Sequence, residues 1–149
     1  MKSYSKRTKT AAATVILLVV LTAVGLMRRE TYFLNKAVRL IGIRISQFEH
    51  LSYVRGQPYK ISFYESNYTI FAWDGEKWSV FAEYQYPSRI RSSLDDIHIV
   101  LRNGRVDSRT WKNRELRPQT PVTLYLQKEG KEGKKGILFL DKGTWRILS

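Results

Sequence analysis

Hydrophobic residues follow three successive patterns along this chain. From Ala11 to Met27 there are 17 residues without a charge, AAATVILLVVLTAVGLM. A helix rises 1.5 Å per residue and a bilayer's hydrocarbon core is about 30 Å thick, so this run is at the short end of what spans a membrane. From Phe33 to Leu51 the apolar residues become periodic: Leu34, Ala37, Val38, Ile41, Ile45, Phe48 and Leu51. Steps of three and four place them on one stripe of a helix, with Lys36, Arg39, Arg44, Gln47 and Glu49 elsewhere. No proline occurs before Pro58, and only Gly25 and Gly42 weaken the run. One helix is predicted over about 11–54, apolar all round in its first half and amphipathic in its second. Arg55-Gly56-Gln57-Pro58 ends it, because Gly suits the left-handed position past a helix and Pro stops continuation.

After Gly56 the period falls to two. Alternation predicts strands at 59–65, 68–73, 77–84, 97–102, 105–111, 122–127, 137–140 and 145–148. Asp74-Gly75 and Asn103-Gly104 are hairpin signals, since they tolerate positive φ. Asp141-Lys142-Gly143 turns the last pair, and EGKEGKKG at 129–136 reads as an exposed, mobile loop. Many short strands after one long helix predict an α+β fold: a small antiparallel β-sandwich packed on the amphipathic half of the helix. The expected layout is a basic tail at 1–10, a transmembrane half at 11–27, an amphipathic half at 28–55 and a β-rich head at 56–149. No repeat and no interdomain linker is evident.

Charge narrows the partners without choosing one. The net charge is +13, and Lys2, Lys6, Arg7 and Lys9 precede the apolar run, which leaves +9 for the rest. A basic head favours phospholipid, nucleic acid or acidic protein. The leading cations place the tail on the cytoplasmic side, but Arg28, Arg29, Lys36 and Arg39 make the far flank basic too. A secretory signal peptide cut after Ala23-Val24-Gly25 is the alternative for this segment.

Candidate chemistry is sparse. The chain has no cysteine, which excludes disulfides, thiol catalysis and cysteine-held metals. Asp95-Asp96-Ile97-His98 brings carboxylates near an imidazole, and strand period points Asp96 and His98 the same way, but no third ligand is evident. His50 lies on the amphipathic helix. Ser66-Asn67 and Ser92-Ser93 read as turns, and Gly130, Gly133 and Gly136 form no phosphate loop. No catalytic residue, metal or cofactor is expected. Arg89, Arg91, Arg102, Arg105, Arg109, Lys112, Arg114 and Arg117 crowd the middle of the head around Trp111. Arg102, Arg105, Arg109, Trp111, Lys112 and Arg114 form a candidate patch for nucleic acid or an acidic partner.

Ile16–Gly25, ILLVVLTAVG, resembles the start of type IV pilins and type II secretion pseudopilins. The stretch 37–63, AVRLIGIRISQFEHLSYVRGQPYKISF, is similar to GspH/FimT-type minor pseudopilins, in which an R-G-x-P-like turn links the helix to a first alternating strand. The family pattern has Gly, Phe and Glu at a leader's end, the next residue and the fifth mature position. Ala11, Ala12 and Ile16 stand there, making Ala11 and Ala12 the candidate leader-processing positions. The resemblance implies a pilin-like fold with two sheets on a long helix. It also implies a non-enzymatic, minor pseudopilin-like subunit of a type II secretion or type IV pilus-like apparatus. Such a subunit would be single-pass in the bacterial inner membrane with its head in the periplasm. Its partners would be other pilin-like subunits, met through Leu17, Leu18, Val20, Leu21 and Val24, and no small-molecule substrate is implied. A DNA-uptake minor pilin with a DNA-binding head, or an unrelated membrane-anchored periplasmic domain, is the alternative.

Overall fold

The computed structural model describes residues 3–87, 89–92, 97–112, 122–140 and 143–148, apart from the side chains of residues 3–7, 30, 107–112 and 122. One helix, α1, runs over Ser3–Arg55. It starts eight residues before the predicted 11, because nothing in Ser3–Thr10 breaks a helix: neither Pro nor Gly occurs there. At its end Gly56 adopts φ 59° and donates to the Tyr53 carbonyl, the left-handed stop the sequence predicts.

The chain divides into two units, Met1–Phe33 and Leu34–Ser149. The first is helical throughout its described residues. The second joins the remainder of α1 to nine strands: β1 (Tyr59–Phe63), β2 (Asn67–Trp73), β3 (Trp78–Gln85), β4 (Ile90–Ser92), β5 (Ile97–Arg102), β6 (Arg105–Lys112), β7 (Val122–Lys128), β8 (Lys134–Phe139) and β9 (Trp145–Leu148). They form a five-stranded sheet in the order β3-β2-β1-β5-β6 and a four-stranded sheet in the order β4-β7-β8-β9. All the pairings are antiparallel.

The stripe predicted on the helix is the one that is buried. Leu34, Ala37, Val38, Ile41, Ile45 and Phe48 lie in a single core with Ile61 and Phe63 of β1, Ile99 of β5, Leu124 of β7, and Ile137 and Phe139 of β8. Phe48 meets the Tyr59 ring edge-on at 5.1 Å, and Phe63 faces Phe139 of the other sheet at 6.4 Å between centroids. Burial of this apolar surface is the main force holding the unit together. Gly42 has a packing reason to interrupt the helix: a Cβ there would come within 3.3 Å of the Trp145 ring. Its bare backbone lets β9 approach α1.

Three turns follow local chemistry. Asn103 (φ 53°) and Gly104 (φ 80°) make the two-residue β5–β6 hairpin, with both central residues at positive φ. Asp74-Gly75 leads instead a four-residue connection. The Asp74 carboxylate accepts the amides of Glu76 and Lys77, which holds its pKa below the usual value. β4, which pairs with β7, is absent from the sequence reading because three residues are too short to show alternation. β8 also starts at Lys134 rather than 137, inside the stretch read as a mobile loop. Gly136 pairs with Tyr125 there, and a side chain at that position would meet Thr123, Tyr125 and Leu148 at 3.1–3.2 Å. Cross-strand pairing overrides the loop-like composition.

Ser52 is fully buried and ties α1 to the β5–β6 hairpin. Its hydroxyl donates to the Glu49 carbonyl at 2.7 Å and accepts the Gly104 amide at 2.9 Å. Ser52→Ala leaves that amide without its partner, so a loss of about 1–3 kcal/mol is expected. Urea unfolding followed by tryptophan fluorescence measures it, and an unchanged midpoint would show the bond to be dispensable.

Candidate assembly surface

Nothing within the first unit covers its apolar side chains. From Val15 to Met27 they are exposed all round the helix: Leu17, Leu18 and Leu21 at 59%, Val20 at 51% and Val24 at 44%, alongside Ile16, Val19 and Leu26. The five predicted packing residues are therefore part of an apolar cylinder and are not set apart from their neighbours. α1 is long and apolar enough to cross a membrane. The cylinder's polar groups are internally bonded. The Thr14, Thr22 and Thr31 hydroxyls donate to the carbonyls of Thr10, Leu18 and Met27 at 2.7–3.1 Å. That bonding is what an apolar surrounding demands of a hydroxyl. Ala11 and Ala12 lie within the helix with exposed side chains.

The candidate basic patch is only partly described. Arg102 and Arg105 face each other across the β5–β6 hairpin and are exposed. Arg109, Trp111 and Lys112 belong to β6, but their side chains lie outside the described residues, and Arg114 lies wholly outside them. Asp95 and Asp96 also lie outside them. His98 is described: its Nδ1 lies 2.7 Å from the Ser62 hydroxyl, and Tyr64 stands edge-on to its ring. Ser62 is fully buried, so this pair offers no nucleophile to a substrate. Among the described residues no three His, Cys, Asp or Glu gather as a metal site.

One titratable group sits where the elements of the second unit meet. Glu49 accepts the Trp145 indole N–H at 3.2 Å and a backbone bond from Val106. Burial nevertheless dominates and raises its pKa above the usual carboxylate value. A carboxyl whose pKa rises on folding stabilises below its unfolded pKa, and the contribution is lost as pH climbs through the folded pKa. Glu49→Gln keeps an acceptor for the indole and removes the charge. Between pH 4 and pH 7 the wild type is expected to lose stability relative to this variant, by no more than about 1 kcal/mol after solvent screening. Melting curves at both pH values test the sign, and a wild type that gains on the variant with rising pH would overturn it.

The fold has a counterpart among solved structures. No protein-family model matches the chain, and no curated protein sequence matches it. The minor pseudopilin EpsH from the Type 2 Secretion System of Vibrio cholerae superposes with a TM-score of 0.59 at 12% sequence identity, covering 78% of this chain and 96% of that one. The chain thus has a pilin-like α+β fold, a long N-terminal helix packed with antiparallel sheets.

Proposed function

We propose that this chain is a minor pseudopilin-like structural subunit of the GspH/FimT type, serving a type II secretion or type IV pilus-like apparatus. The observation that carries the reading is the pilin-like fold shared with EpsH at 0.59 TM-score, joined to an exposed apolar helix at its N-terminus. In this reading residues 11–27 sit in the bacterial inner membrane and the head lies in the periplasm. The same residues then pack with the helices of other pilin-like subunits. Lipid tails are as apolar as leucine, so close packing rather than hydrophobic exclusion provides the cohesion. The role is structural, not catalytic.

The chain's lack of cysteine gives a clean test. Single cysteines at Leu17, Leu21 or Val24 are expected to form disulfides with cysteines in the helices of co-expressed pilin-like subunits in membranes. Cysteines at exposed Asp74 or Glu76 on the β2–β3 connection serve as controls. Absence of helix cross-links, or equal cross-linking from the controls, would overturn the reading. N-terminal sequencing of the membrane form distinguishes removal of a leader after Ala11, cleavage after Gly25 and an intact N-terminus.

A further inference from the structure

The four-stranded sheet ends on β9, which pairs on one side with β8 and has no strand on the other among the described residues. The phase of the ladder settles which groups face outward. Leu140 donates to the Thr144 carbonyl at 2.8 Å. Bonded and non-bonded pairs alternate in an antiparallel ladder, so Phe139–Trp145 and Ile137–Ile147 are non-bonded pairs. The N–H and C=O groups of Trp145 and Ile147 therefore point away from β8, toward the free edge. An open edge of this kind is a template for a further strand.

Beside that edge runs a groove of about 650 Å³ between β9 and α1. Trp145 and Ile147 form one wall, Ile43 and Gly42 the other, with Arg39 and His50 also lining it. Ile43 and Ile147 are 54% and 44% exposed. Among the described residues no carboxylate lines the groove, and Glu49 beside it is bonded to the Trp145 indole N–H. Strand alternation sends Trp145 and Ile147 to the groove side and Arg146, which is exposed, to the opposite side.

We infer that β9 and this groove take up an extended segment of a partner protein, in which apolar and acidic residues alternate. Its main chain pairs with the outward groups of Trp145 and Ile147. Its apolar side chains enter the groove against Ile43, and its carboxylates, on the other face of the added strand, meet Arg146 across the strand pair. Main-chain pairing supplies affinity in such strand addition, and alternate side chains supply specificity. A helix seated in the same groove would leave the Trp145 and Ile147 main-chain groups unpaired. The inference does not depend on the reading of residues 11–27 as an assembly helix.

The probe is an acetylated, amidated nine-residue peptide of alternating valine and glutamate, added to the full-length protein in detergent micelles. It is expected to slow amide exchange at Trp145 and Ile147 at least tenfold, while Arg146 and Leu148, already paired to β8, change little. N-methylation of the valines, or lysine in place of glutamate, is expected to weaken binding at least tenfold. Arg146→Glu, at an exposed position, reverses the preference between the acidic and basic peptides. Ile43→Asp, also exposed, weakens both. Any of four results would overturn the inference: no binding at millimolar peptide, binding without slowed exchange at Trp145 and Ile147, equal binding of the N-methylated peptide, or tighter binding of a helical amphipathic peptide.

Discussion

Phe63→Ala is expected to remove about 3–5 kcal/mol from the folded second unit. Phe63 is 1% exposed at the C-terminal end of β1, between Tyr68 of its own sheet at 5.7 Å and Phe139 of the other at 6.4 Å. Truncation leaves a cavity that neither sheet can close, because ladders on both sides fix β1: Phe63 pairs with Tyr68 of β2 and Ile97 of β5. Unfolding free energies of single domains are about 5–15 kcal/mol, so the variant is left marginal or unfolded. A fall in melting temperature of more than about 10 °C is expected, read by near-ultraviolet circular dichroism. Phe63→Leu keeps most of the volume and is expected to cost less than about 1.5 kcal/mol. A Phe63→Ala loss under 1 kcal/mol would mean that the two sheets do not share this core.

The fold was legible where a single face had to be buried. The helical stripe Leu34–Phe48 and the alternating Ile61–Phe63, Ile97–Ile99–Leu101 and Leu124–Leu126 sets are all core, because each periodicity exists only to put side chains on one side. Asn103-Gly104 and Gly56 were legible because positive φ restricts the choice of residue. β4 and the first half of β8 were not. Ile90–Ser92 is held by its partners Leu126, Gln127 and Lys128, and Lys134–Gly136 by Tyr125, Leu126 and Gln127. That information resides in the neighbouring strand and not in the segment itself. The groove beside β9 was hidden for a similar reason. Gly42 reads as a mere helix weakener until Trp145 is seen against it, 103 positions away in the chain. Glu49 likewise reads as a surface charge until the indole N–H reaches it. The five helix residues chosen for packing are a different matter. Ile16, Val19 and Leu26 are as exposed as they are, so neither periodicity nor exposure ranks one face of an all-apolar cylinder over another.

That cylinder yields the second large effect, and two substitutions separate anchoring from packing. Val20 is near the middle of the uncharged run and 51% exposed. Val20→Asp replaces a residue that favours insertion by a few tenths of a kcal/mol with one that opposes it by about 2.5–3.5 kcal/mol at the helix centre. The run is at the short end of what spans, with no spare length to slide the carboxylate to an interface. The membrane-bound fraction is therefore expected to fall on the order of 100-fold in the partition constant, measured by carbonate extraction and flotation. Val24→Trp makes the opposite test. It keeps the helix apolar, so flotation is expected to be unchanged, but it adds bulk, and closely packed membrane helices rely on small side chains where they touch. If Val24 packs on a neighbouring subunit, cysteine cross-linking from Leu17 and Leu21 is expected to drop severalfold in that background. Lost flotation with Val20→Asp and undiminished cross-linking with Val24→Trp would leave residues 11–27 as an anchor alone. The assembly role would then have to lie in the two-sheet unit and its open β9 edge.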